Sequence, residues 1–370
     1  MRRMWVCFAL LLLLGESGSA EEAARRALQD AGMGGILEFA AEYGAEVDPA
    51  AVAEAALQGD MPDARELFDA VKARLTKPVL EALNMGRGLL APILLLAMLR
   101  CALADGAGGS GGVRFLLRLT LLIGFSEVAL RALSAASDCI RAAKVLSGAA
   151  APALTALLAA MGMAGTSALV SPAAALAGDA AEGLFLNWGM PLCRFALCAA
   201  LAGNLTPAVD LSAAAKLLRK AANWGAGLAT TLFTALLTLQ GSVAGAVDGV
   251  AVRTAKFAVD SAAPVIGSGV SDAWDSYVSG ILIAKNAVGL SGIAVLLGVA
   301  LKPLTVCAAS MLMLNLLSAL LSALGEGETA RSAEQVSGIC QMALSLATGA
   351  VTIATVLLGA AMAAGGNLAG

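Results

Sequence analysis

Apolar residues run unbroken by charge through 145–178, 221–247, 303–325 and 335–370. Each run exceeds the roughly 20 residues that a helix, rising about 1.5 Å per residue, needs to cross about 30 Å of hydrocarbon. In lipid the backbone must satisfy its own hydrogen bonds, and the runs lack the alternation of barrel strands, so the pattern predicts α-helices. The fold class expected is all-α: a polytopic integral membrane helical bundle of about seven spans behind a small extracytoplasmic helical segment.

Returning charges mark the ends of spans, which are expected near 89–104, 149–170, 183–207, 223–247, 281–301, 304–324 and 336–364. Lys302-Pro303 reads as a tight turn between the fifth and the sixth. A further window, 113–133, is apolar but holds Arg114, Arg118, Glu127 and Arg131. Each charge near a helix centre costs about 2.5 to 3.5 kcal/mol to insert, so 113–148 is read as an amphipathic or re-entrant pair on the cytoplasmic face, the alternative being that 113–133 crosses and makes eight spans. The excess of Lys and Arg on cytoplasmic loops then orients the chain. It keeps 105–147 and the Lys216, Arg219, Lys220 cluster inside. Asp179 and Glu182, the segment 248–280 and acidic 325–334 fall outside.

The amino terminus is different material. Arg2 and Arg3, an apolar core from Trp5 to Leu14 and the small residues Gly18-Ser19-Ala20 have the order of a cleavable signal peptide over 1–20. Residues 21–85 follow with thirteen acids against six bases, an acidic extracytoplasmic segment of short helices. In it Asp48-Pro49 supplies a helix cap and a first-turn proline, and Gly59 closes that helix. Residues 86–370 form the membrane domain.

Composition narrows the chemistry. The chain of 370 residues is 59% hydrophobic, 14% charged and 4% aromatic, with a mean hydropathy of +0.82. Its surplus lies in Ala, Leu and Gly, which make thin helices that approach closely. With no histidine, His-based nucleophilic catalysis and His metal ligation are excluded. Cys7, Cys101, Cys139, Cys193, Cys198, Cys307 and Cys340 form no Cys-x-x-Cys pair and read as small packing residues. No Gly-x-x-x-x-Gly-Lys-Ser/Thr phosphate loop is present, so any ATP use belongs to a partner. No enzymatic activity, catalytic residue, metal site or cofactor is expected, and no nucleic-acid partner; the bilayer is the expected surrounding.

Two groups of polar residues stand out. Asp248, Arg253, Lys256 and Asp260 are three to five residues apart, a spacing that makes a charged stripe on a surface helix. With Asp272, Lys285 and Asn286, they are either a solvated face or a partner-docking or pore-mouth element. Arg194 and Glu127 are intramembrane charge candidates, functional by default or a structural ion pair with one another. Pro152, Pro172, Pro191, Pro207 and Pro303 fall in or beside spans; broken helices of this kind also occur in stand-alone secondary transporters of small solutes, the alternative reading.

The segment from Gln240-Gly241-Ser242 to Ala255-Lys256-Phe257, with Pro264-Val265-Ile266-Gly267 and Lys285-Asn286-Ala287-Val288-Gly289, resembles the stage III sporulation protein AE family. The likeness covers nearly the whole chain and is most specific over 240–302. The resemblance implies an endospore-forming bacterium and a multi-pass protein of the mother-cell membrane surrounding the forespore. It implies a membrane subunit of a mother-cell-to-forespore channel or secretion-like complex needed for forespore development after engulfment. Implied partners are the other stage III sporulation proteins of the same operon, including the AA ATPase and ring-forming subunits, and a forespore membrane partner. No catalytic residue carries over.

Cleavage after Ala20 is expected. Intact-mass measurement of the purified protein checks it, and a retained Met1 would refute it.

Overall fold

The computed structural model describes residues 33–45, 47–58, 80, 84, 88–96, 98, 111–205, 212–262 and 267–364. Among these the regular structure is entirely helical: α1 (Gly34–Glu42), α2 (Pro49–Gln58), α3 (Gly111–Ala160), α4 (Ala164–Ala180), a π-helical segment (Ala181–Gly189), α5 (Met190–Leu205), α6 (Ser212–Ala262), α7 (Gly267–Ala323) and α8 (Gly327–Ala363). The signal peptide, most of the acidic segment and the end of the first expected span lie outside the described residues.

Two of the hairpins turn on a glycine that alone tolerates the left-handed conformation. After α3, Gly162 takes φ 79° and after α7, Gly325 takes φ 80°. Each is followed by the same pair of bonds, Gly162 N–H to Ala159 O with Met163 N–H to Leu158 O, and Gly325 N–H to Ser322 O with Glu326 N–H to Leu321 O. This is the Schellman arrangement, which satisfies carbonyls that a helix end leaves free. Asp48 Oδ1 accepts from Ala50 N–H at 2.9 Å at the start of α2, as its Asp-Pro opening leads one to expect.

Side-chain bonds to backbone fix how the long helices lie. Ser318 Oγ donates to Ala330 O at 2.9 Å and Ser337 Oγ to Met311 O at 3.0 Å, so α7 and α8 run antiparallel along their length. Cys307 Sγ meets Ala132 O at 3.2 Å and Arg118 meets Glu328 at 2.7 Å, so α3 is antiparallel to α7 and parallel to α8. These three helices are the centre of the bundle. Their contacts are made by small residues such as Ala132, Ala136, Ala143, Ala343, Ala347 and Ala354, all buried. Such side chains let backbones approach closely where lipid gives little hydrophobic drive to helix association. The helix α4, the π-helical segment and α5 double back along α3 and pack on α6 and α8. From the acidic segment, α1 buries Ile36 and Phe39, and Phe39 stacks on Tyr43 with ring centroids 4.6 Å apart. Burial and then the Glu42 carboxylate raise the Tyr43 phenol above its ordinary range.

Three helical stretches among the described residues are long and apolar enough to cross a membrane: Ala164–Gly203, Tyr277–Ala323 and Gly327–Ala363. Several sequence expectations are corrected. No turn forms at Lys302-Pro303, because α7 runs on through Pro303, held on both sides by α3 and α8. The expected span 149–170 is interrupted at Gly162 instead. Residues 113–148 are no re-entrant pair but part of one 50-residue helix that includes Pro152. No loop forms at Asp179 and Glu182, which lie within the continuous helical run from α4 through the π-helical segment. The segment 248–280 is helical on both sides of 263–266. The orientation derived from the charges also fails: it puts Arg118 and Lys144 inside and Glu326, Glu328 and Asp179 outside. Yet Arg118 pairs with Glu326 at 3.2 Å and with Glu328 at 2.7 Å, and Lys144 lies 3.7 Å from Asp179.

Substituting Gly325→Ala should cost about 1–2 kcal/mol, because an L side chain resists the left-handed conformation. By contrast Gly359→Ala, in α8 with open space where its Cβ would stand, should stabilise by up to about 1 kcal/mol. Unfolding of the detergent-solubilised protein measures both.

Candidate functional site

The polar motif of 240–302 is built at the end of the bundle where α6 and α7 approach their connection. Asp248, on α6, is 7% exposed. Its carboxylate accepts from Gly165 N–H at 3.1 Å and from Thr166 N–H at 2.5 Å. Those two N–H groups belong to the first turn of α4, where a helix has no internal acceptors to offer. The carboxylate also sits at the positive end of the α4 dipole. It therefore caps, from another helix, the element that begins just after the Gly162 turn. A Cβ on Gly165 would stand 2.7 Å from Asp248 Oδ1, so glycine at 165 is a condition of the contact. Beside it the buried Thr166 Oγ1 has no hydrogen-bond partner among the described residues.

Lys285 makes the complementary contact. It lies on α7 with no exposed surface, and its Nζ donates to Ala364 O, the residue that ends α8. Carbonyls at a helix carboxyl end lack internal donors and carry the negative pole of the dipole. An ammonium is the group that satisfies both. Next in sequence, the half-buried Asn286 presents a buried Oδ1 with no partner among the described residues. Together these contacts tie α6 to the tip of the α3–α4 hairpin and α7 to the carboxyl end of α8.

The other expected site residues separate from this pair. Arg253 and Lys256 fall on α6 and Asp272 on α7, and their side chains lie outside the described residues. Asp248 and Lys285 are buried clamps within the chain, which corrects their reading as an exposed docking face. Glu127 does not meet Arg194. It pairs with Arg131, four residues on, at 2.7 Å, while Arg194 is exposed on α5.

Sequence reasoning missed three features. Arg118 reaches both Glu326, 6% exposed, and Glu328, joining α3 to the α7–α8 turn; spacing alone cannot pair residues some 200 positions apart. Gly338 of α8 is covered by the Arg219 guanidinium. Between α6 and α8 lies a groove of about 500 Å³ lined by Thr230, Thr231, Gln341, Ser345, Thr348 and Thr352 with small residues. Each threonine hydroxyl donates to the carbonyl four residues before it. Among the described residues no acid, amine or thiol lines the groove. Among the described residues no three of His, Cys, Asp and Glu cluster as metal ligands. Cys139, Cys193, Cys307 and Cys340 are buried free thiols, as the packing role expects, whereas Cys198 is exposed; Cys7 and Cys101 lie outside the described residues.

Asp248→Ala should destabilise the fold by about 1.5–3 kcal/mol, the range for hydrogen bonds to a charged group. Asp248→Asn, which keeps one acceptor oxygen, should lose less. Thermal unfolding of the two variants side by side checks the order.

The family model of the stage III sporulation protein AE family matches residues 63–365, a range that takes in both clamps. A stage III sporulation protein AE of Bacillus subtilis (strain 168) is 32% identical over 176 residues, which are 48% of this chain and 44% of that protein. The chain thus aligns with less than half the length of this relative. No solved structure matches it. With the family model covering most of its length, from before α3 to beyond the end of α8, the chain belongs to the stage III sporulation protein AE family.

Proposed function

We propose that this protein is a multi-pass membrane subunit of a channel or secretion-like complex between mother cell and forespore, required for forespore development after engulfment. The observation that carries the reading is the coincidence of family and architecture: the family match over 63–365 contains the three helical stretches that, among the described residues, are able to cross a membrane. In this reading α7 and α8 form a transmembrane hairpin and α4 with α5 a third crossing. The protein sits in the mother-cell membrane around the forespore. Its partners are the other stage III proteins of its operon, with the AA ATPase supplying energy and ring-forming subunits assembling on it, and a forespore membrane protein opposite.

Several features support an assembly subunit over a stand-alone transporter of a small solute. Asp248 and Lys285 hold helix ends instead of facing a central binding site, and Arg194 is exposed. The family relationship also favours the sporulation reading. A clean deletion of the gene should let engulfment finish while the forespore stalls, seen by microscopy and as a collapse in heat-resistant spores. Normal spore yield from the deletion strain would overturn the proposal.

A further inference from the structure

The helices α6 and α8 lie side by side and parallel. A Cβ on Gly338 would stand 2.7 Å from the guanidinium carbon of Arg219, and one on Gly349 would stand 2.8 Å from Thr230 Oγ1, two contacts with the same separation in sequence. This register brings the charges of both helices to an end together. On α6 the charge-free run 221–247 begins after Lys220, and on α8 the run 335–370 begins after Glu334, which comes level with Ala215. The two ends thus lie within about 8 Å of one another along the helix axes. Trp224 and Leu228 are exposed just past them, and an aromatic ring beside lysines is the composition of a membrane–water boundary.

The groove between the two helices changes character along its length. At its head the Arg219 guanidinium lies against the backbone of Gly338, and Lys216 and Lys220 are exposed beside it on α6. None of these three bases makes an ion pair among the described residues. Glu334, exposed one turn before Gly338, leaves base in excess there. Next come Asn223, half-buried one turn past Arg219 with a buried Oδ1 that has no partner among the described residues, and Gln341 and Ser345 on α8. Farther along, the walls are Ala226, Gly227, Gly349 and the four threonines, whose hydroxyl protons are spent on carbonyls of their own helices. The α8 side, from Gln341 to Thr352, is roughly 16 Å long.

We propose that this groove holds an anionic phospholipid. Its phosphate sits on Arg219, which presents a fork of donors to phosphate oxygens, with Lys216 and Lys220 adding charge. Gln341 and Ser345 donate to the ester carbonyls, and a headgroup hydroxyl, as in phosphatidylglycerol, supplies the donor that Asn223 Oδ1 lacks. One acyl chain lies between the threonine walls. The order of cation, amide and hydroxyl, then a wall without donors is the order of an amphiphile. A free anion would leave the apolar length empty, and an apolar helix of another protein would leave the bases without counter-charge. Basic pockets between membrane helices hold acidic lipid headgroups in this way. The inference rests on the reading of the chain as a membrane subunit and adds a bound lipid to it.

The test is native mass spectrometry of the purified full-length protein in detergent, titrated with phosphatidylglycerol, with phosphatidylcholine of the same acyl chains and with inorganic phosphate. Phosphatidylglycerol should bind about tenfold or more tighter than phosphatidylcholine, and Arg219→Gln should remove that advantage, the scale of hydrogen bonds to a charged group. Lys302→Gln, at an exposed base on α7, should leave binding unchanged. Ser345→Phe, which puts a ring into the groove, should weaken both lipids. Lys216→Gln with Lys220→Gln, at exposed positions, removes charge a second way should Arg219→Gln fold poorly, and should weaken phosphatidylglycerol alone. Equal affinity for the two lipids, or phosphatidylglycerol binding untouched by the loss of charge or by Ser345→Phe, overturns the proposal. So does its displacement by an equal concentration of inorganic phosphate, which would make this a site for a free anion. Forespore arrest in the deletion strain is a separate readout, so the lipid site can fail while the sporulation reading stands.

Discussion

A helix end buried among apolar side chains must find partners for the N–H or C=O groups that its own turns leave free. In this bundle those partners come from other helices. The Asp248 carboxylate meets the amino end of α4 and the Lys285 ammonium the carboxyl end of α8. Each charge has the sign that the helix dipole favours. Where no charge is available, the chain uses Schellman turns at Gly162 and Gly325. The ends of the helices that pack around α3, α7 and α8 are held by these closures. A charged residue in such surroundings is thus as much a structural cap as a candidate for ligand binding.

Local chemistry was legible in the sequence. Charge-free runs announced a helical chain with membrane-length apolar helices, and Asp48-Pro49 announced the start of α2. The polar motif around Asp248 and Lys285 was singled out as unlike its surroundings. Its meaning was not legible, because the partners are a glycine N–H 83 positions away and a carbonyl 79 positions away, separations at which a single sequence carries no pairing signal. Topology failed for a related reason. Lys302-Pro303 looks like a turn when charge and proline are counted locally, but packing of α7 along its length outweighs one missing N–H. Arg118 and Glu326 were assigned to opposite sides because their charges were tallied by loop, and the ion pair that joins them is a tertiary fact.

The helix α3 shows the same limit from the other side. Its charges argued against insertion when α3 was considered alone and in lipid. Flanked by α7 and α8, it keeps much of its surface away from the surroundings, and local pairs such as Glu127 with Arg131 lower the cost of the charges that remain. What a segment tolerates is set by its neighbours as much as by its own hydropathy. A bundle can thus pack a charged helix alongside apolar ones.

The π-helical segment Ala181–Gly189 joins α4 to α5 without a break in the chain's helical course. Its wider turns rotate the backbone less per residue than an α-helix does. A helical wheel drawn across 164–205 at a constant 3.6 residues per turn is therefore out of phase beyond Ala181. Scanning substitutions through this stretch need two separate phases, one for each side of the widened turns, before inward and outward positions can be told apart.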